Sequence, residues 1–274
     1  MPSLSKHRST SIIKLLALGD AKVGKTTSLV SLVDAGYKLR ILDMDNLLDN
    51  LVAKIREVCP DKIDSVDART LRDKRKMTDG GPIIDGAPKA FTDAIKMLDR
   101  WKYKDEGEEI DLGKPSEWGE DSVVVIDSLS RLCDAAYDWC AAMAGPKADG
   151  RAIYGSAQDA VESVLAGLTS AAFNTNVIVI AHGTYMDMPD GTRKIFPQGV
   201  GQKLSPKIPQ YFPTYIRYKN VNNKRSLQLK SDTTIDLATP SHIPDSLPVE
   251  TGLADLFKAL KQTEIKPNTQ LKRA

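Results

Sequence analysis

The sequence predicts an α/β fold, a mostly parallel central sheet flanked by helices, and three observations predict it. Short apolar runs alternate with stretches whose apolar residues recur at helical spacing, the pattern of repeated strand–helix–strand units. The runs SIIKLLAL (Ser11–Leu18), KLRILDM (Lys38–Met44), SVVVI (Ser122–Ile126) and NVIVIA (Asn176–Ala181) are too uniformly apolar to have a wet face, as strands buried between two helix layers must be. A glycine, an aspartate or a histidine stands at the end of each run, at the carboxyl ends where open α/β sheets bind ligands.

Taken in order, the first strand leads into a helix over Lys25–Ala35, stopped by Gly36. The second strand, Lys38–Met44, precedes a helix over Leu47–Val58 that Pro60 ends. A short strand is expected over Ser65–Leu71. Residues 73–88 carry Gly80, Gly81, Pro82, Gly86 and Pro88 and read as loop, and Ala90–Trp101 reads as an amphipathic helix. After the central strand SVVVI come helices over Leu129–Ala144 and Ala157–Ala172, then NVIVIA. Thr214–Tyr218 and Ser226–Leu229 are late strands that could pair, and Leu253–Leu260 is a last short helix. The domain plan is a flexible basic N-terminus over 1–10, a core over 11–230, and a C-terminal extension over 231–274 with that helix and a polar tail.

The 274 residues suffice for one large α/β domain, and a net charge of +2 names no partner. Local runs are sharper. Residues 69–76 (RTLRDKRK) hold five bases against Asp73, whereas 104–121 are acidic; such runs are commonly solvated faces. Three cysteines without a C-x-x-C pair argue against a disulfide framework or a zinc site. No apolar run is long enough to span a membrane and no signal-peptide core is present, so a cytoplasmic protein with no membrane partner is expected.

The strongest motif is Gly19-Asp20-Ala21-Lys22-Val23-Gly24-Lys25-Thr26, which matches G-x-x-x-x-G-K-[ST] between a strand and a helix. Its glycines let backbone N–H groups curl around a β-phosphate, Lys25 reaches the β- and γ-phosphate oxygens, and Thr26 holds Mg²⁺. The expected cofactors are ATP and Mg²⁺, with residues Gly19 through Thr27 forming the nucleotide site. Asp127, ending the apolar strand, is the second Mg²⁺ candidate; it could also cap the helix that follows. In ILDMD, strand alternation sends Asp43 and Asp45 to one face. Asp45 lies farther along and is the better candidate to polarise water, although either could be a turn aspartate. His182, directly after NVIVIA, could sense a γ-phosphate or be a hydrogen-bonded structural residue. The segment 183–212 interleaves Arg193, Lys194, Lys203 and Lys207 with Tyr185, Phe196, Tyr211 and Phe212, a pattern that suits single-stranded nucleic acid and also ordinary flexible loops.

No N-K-x-D motif follows, which argues against guanine specificity. The pair VGKTT and ILDMDN resembles the ParA-like partition ATPases, but Asp20 stands where those carry a signature lysine. A ParA-like or regulatory nucleotide switch acting on a protein partner or duplex DNA is the alternative reading. The ordered set GDAKVGKT, ILDMDN, VVVIDSLSRL, VIVIAH and FPQGVGQKLSPKIPQYF, over roughly residues 12–220, resembles RecA-like P-loop ATPases, specifically the phage Sak-type single-strand annealing and recombination ATPases.

That resemblance implies a DNA-stimulated ATPase that binds single-stranded DNA and promotes annealing or strand exchange. It implies a homo-oligomer, ring or filament, a single-strand-binding protein as a further partner, and the host cytoplasm if the protein is phage-encoded. It places Asp45 where the family has its catalytic carboxylate, one methylene shorter than the glutamate of RecA. His182 falls where a glutamine couples the γ-phosphate to DNA. Gly145–Ser156, which includes Arg151, resembles the first DNA loop, and Thr184–Val200, with Tyr185, Arg193, Lys194 and Phe196, the second. Lys203 and Lys207 would lie near a subunit interface, facing a neighbour's γ-phosphate.

Overall fold

The computed structural model describes residues 11–262. The expected basic N-terminal segment and the polar end of the tail lie outside them. Along the chain run β1 (Lys14–Gly19), α1 (Val30–Asp34), β2 (Lys38–Asp43), α2 (Asp49–Val58), β3 (Val66–Thr70), β4 (Arg75–Thr78), β5 (Gly81–Ile84) and α3 (Ala90–Asp99). There follow β6 (Lys102–Asp105), β7 (Glu108–Asp111), β8 (Gly119–Asp127), α4 (Leu129–Ala144), α5 (Gly150–Thr169) and β9 (Thr175–Ala181). The last elements are β10 (Gly183–Asp187), β11 (Arg193–Pro197), α6 (Gly201–Leu204), β12 (Thr214–Val221), β13 (Lys224–Gln228), β14 (Ser246–Pro248) and α7 (Gly252–Lys261).

Eight strands form the central sheet in the order β14-β13-β12-β1-β9-β8-β2-β3. The neighbours from β12 to β3 pair in parallel, and β13 and β14 add an antiparallel edge. This is the α/β P-loop architecture expected. Alternate residues of each inner strand feed two separate cores. Leu16, Leu18, Val124, Ile126, Val177 and Val179 pack with α3, α4 and α5. Leu15, Ala17, Val123, Val125, Ile178 and Ile180 pack with α1, α2 and α7. Both sheet faces are therefore dry, the physical reason these strands read as unbroken apolar runs. The expected extension joins this body directly: β14 pairs with β13, and Leu253, Leu256 and Phe257 of α7 are fully buried. No described helix is long and apolar enough to cross a membrane.

Local structure departs from the sequence expectation in several places, among them the β10–β11 hairpin, which the sequence reads as part of a loop-like segment. The helix expected from Lys25 is a 3₁₀ turn over Thr27–Leu29 followed by the short α1. There Ser28 Oγ donates to Lys25 O and Ser31 Oγ to Ser28 O, side-chain bonds that compete with helical geometry. The segment 73–88 holds the β4–β5 hairpin around Asp79-Gly80, and the acidic stretch holds the β6–β7 hairpin around Glu106-Gly107, whose two residues both take the positive φ of a two-residue hairpin turn. Helix α5 starts seven residues earlier than expected, because Asp149 caps it by accepting from Arg151 N.

Candidate functional site

The strand register gathers the candidate residues. Asp43 pairs across from Asp127, and Asp127 from Ile180, so β2, β8 and β9 end at one level beside the loop that leaves β1. In that loop Lys22 and Gly24 have φ of 63° and 95°. Gly19 is sterically required, since a Cβ there would sit 2.8 Å from Tyr218 Cβ.

Lys25 is buried, and its Nζ donates to Gly19 O (2.7 Å) and Asp20 O (2.6 Å). Burial lowers its pKa, while the charges of Asp127, Asp20 and Asp45 oppose that shift. No carboxylate among the described residues forms an ion pair with it, so its charge remains available to an anion that displaces the two carbonyls. Thr26 Oγ1 donates to Asp127 Oδ2 at 2.5 Å, bringing the two expected Mg²⁺ ligands together. Asp127 is pushed up to about 6, chiefly by burial, with the Thr26 bond acting the other way. Ser128 beside it is fully buried, and its Oγ has no hydrogen-bond partner of normal geometry.

Asp43 and Asp45 have separate fates because β2 ends at Asp43. Asp43 Oδ1 accepts from Asp45 N (3.2 Å) and Asn46 N (2.7 Å), and its Oδ2 from Thr70 Oγ1 (2.8 Å). These bonds hold a tight turn in which Asn46 takes a φ of 57°. Asp45 is thereby aimed across the strand ends, with Oδ2 3.4 Å from His182 Nε2 and Oδ1 3.4 Å from Arg131 Nε. Burial raises its pKa, but His182, Ser128 and Arg131 together outweigh burial and leave it below the usual carboxylate value. His182 is anchored by its backbone, donating N–H to Ser130 Oγ and accepting from Gln198 N. Arg131 was not singled out from sequence. Its signal was its place four residues after Asp127 in VVVIDSLSRL, at the start of α4, facing the strand ends.

The remaining candidates lie outside this cluster. Tyr185 and Arg193 are exposed on the β10–β11 hairpin, with the Arg193 guanidinium 5.3 Å from the Tyr185 ring centre. Lys194 pairs with Asp236 at 2.6 Å, and Phe196 is half-buried in the same hairpin. Arg151 is exposed in the first turn of α5. Lys203 is exposed on α6, whereas Lys207 pairs with Glu162 of its own chain at 2.8 Å.

The residues fit Mg²⁺ and a nucleoside triphosphate. A hydroxyl and a carboxylate in contact are oxygen donors of the type that Mg²⁺ takes, and a buried lysine bonded only to carbonyls would supply a cation to the phosphates. Among the described residues no cluster of three or more His, Cys, Asp or Glu could cage a metal alone.

Two solved structures are similar to this chain at low identity. The RadB recombinase is 14% identical with a TM-score of 0.46, covering 88% of this chain and 89% of its own. A prototypical ATPase from the type III secretion system of pathogenic bacteria is 13% identical with a TM-score of 0.39, covering 76% of this chain; the match spans 52% of that ATPase. A search of curated proteins found no match. Residues 11–237, which include every residue of the cluster built above, match the model of the AAA domain family AAA_24, and the chain belongs to that family.

Proposed function

We propose that the protein is a RecA-like ATPase that hydrolyses Mg²⁺-ATP and couples turnover to single-stranded DNA, as a homo-oligomer that promotes annealing or strand exchange. The observation that carries this reading is the continuity of the site. Thr26 and Asp127 are hydrogen-bonded, Asp45 and His182 face each other beside them, and His182 is the single residue between β9 and the hairpin bearing Tyr185 and Arg193.

In this reading Lys25 exchanges its two carbonyl partners for phosphate oxygens. Thr26 and Asp127 hold Mg²⁺, which when bound neutralises charge on the phosphates. Asp45, kept ionised by its neighbours, accepts a hydrogen bond from the attacking water and orients it. His182 senses the occupied site through Asp45 and passes the state to the hairpin. There an aromatic ring and a guanidinium offer stacking and charge to a single strand.

The test is ATP hydrolysis by purified protein with and without single-stranded DNA, beside Lys25→Ala. Stimulation by the single strand, lost in Lys25→Ala, is the expected result. Turnover indifferent to single strands would remove the DNA part of the proposal and favour a switch acting on a protein partner or duplex DNA.

A further inference from the structure

Beside the phosphate loop lies a cavity of about 660 Å³, within the range of small-molecule sites. One wall is the loop and α1: Gly24, Thr27, Ser28 and Ser31. The other comes from β13 and the C-terminal segment, which lies beyond the region matched by the family model. The two walls touch. The position of a Cβ on Gly24 would lie 3.3 Å from Val249 Cγ1 and 3.7 Å from both Cδ and Nη1 of Arg225. The Ala254 amide donates to Ser31 Oγ at 3.3 Å, tying α7 to α1.

Charged groups around this cavity divide into paired and free. Asp34 is paired with Lys62, Lys54 with Glu57, and Asp255 accepts from Thr251 Oγ1. The side chains of Arg225 and Glu250 make no hydrogen bond or ion pair among the described residues, and both are exposed and line the cavity. Val30, Val58, Val249 and Ala254 supply the apolar lining. An apolar slot with one free guanidinium and one free carboxylate suits a flat nitrogenous ring on a sugar: the guanidinium stacks on the ring, and the carboxylate accepts from hydroxyl or amino groups.

We propose that this cavity takes the nucleoside half of a bound nucleoside triphosphate, with Arg225 as its binding cation and the C-terminal segment around Val249 and Glu250 as its outer wall. This inference rests on the reading of Gly19–Thr26 as a phosphate site. A chain threaded through Gly24 and Thr27 carries its nucleoside outward on the side where these residues line the cavity. The C-terminal segment then belongs to the ligand site as well as to the core.

The test is equilibrium binding of ATP and of inorganic tripolyphosphate to the full chain, with Lys25→Ala, Arg225→Ala and Val58→Trp. Val58 is 45% exposed at the cavity rim, so the larger ring fills the slot from the solvent side. The expected result is that Arg225→Ala and Val58→Trp each weaken ATP about tenfold or more and leave tripolyphosphate within twofold, while Lys25→Ala weakens both. If Lys25→Ala weakens both ligands but Arg225→Ala and Val58→Trp leave ATP unchanged, the cavity assignment is wrong and the phosphate site stands. Equal loss of ATP and tripolyphosphate in Arg225→Ala also overturns it, since the cation would then serve the phosphates alone. If wild-type protein binds neither ligand, the phosphate-site reading and this inference both fall.

Discussion

Two aspartates two positions apart do different work, and substitution should separate them. Asp45→Asn keeps the shape of the side chain but loses the charge that orients water, so on the proposed reading turnover falls at least about 100-fold with ATP affinity nearly unchanged. Steady-state hydrolysis together with equilibrium binding checks both halves. Asp43→Ala instead strands two backbone amides and the Thr70 hydroxyl, a loss of about 1–3 kcal/mol of stability, measurable by urea denaturation. Asp127 adds a pH dependence. Its carboxyl is raised from 3.8 to about 6 in the folded protein, so between those values the native state retains a proton that the unfolded chain has released. Stability from this group is therefore full below about pH 4 and declines as pH rises to about 6, by at most roughly 3 kcal/mol. In metal-free, nucleotide-free buffer Asp127→Asn should gain on wild type in melting temperature across that window; a constant difference would refute the sign. Sequence alternation placed Asp43 and Asp45 on one face, but a period of two holds only while the strand continues. The turn at Asn46 ends it, and no feature of ILDMD announces where.

At the scale of elements, what was legible depended on burial. Strands β1, β2, β8 and β9 were readable because both their faces are dry, and α3 because Phe91, Ala94 and Met97 recur on its buried side. Strands β4, β5, β6 and β7 were not, since their residues are almost all exposed or half-exposed and carry no apolar alternation. Only the turns Asp79-Gly80 and Glu106-Gly107 marked those hairpins. The β10–β11 hairpin was hidden too: β10 is likewise exposed or half-exposed, and β11 buries only Ile195 and Pro197, too short an alternation to stand out from a loop. If it binds single-stranded DNA, Tyr185→Ala should cost about 1–3 kcal/mol of affinity through lost stacking. Arg193→Ala should lower the salt dependence of binding by roughly one counterion. Fluorescence anisotropy across a salt series reads both, and a Tyr185→Ala protein that binds normally would remove the hairpin from the DNA site.

For the whole molecule, the two dry cores explain why the C-terminal segment is structural. Leu256, fully buried between α7 and the sheet, should cost about 2–5 kcal/mol when cut to alanine, seen as a lower denaturation midpoint. That packing was only partly readable: the spacing Leu253-Leu256-Phe257-Leu260 gave an apolar face, while its seat against α1 depends on contacts more than two hundred residues apart in sequence. The central strand carries the remaining consequence. β9 is clamped on one side by the strand that feeds the phosphate loop and on the other by the strand that ends in Asp127, and one residue joins it to the hairpin. Such a linkage has no slack: an axial tug on the hairpin is a tug on the histidine. On the proposed reading, two glycines inserted between His182 and Gly183 would act as a clutch. Hydrolysis and strand binding would each persist, and neither would any longer drive the other.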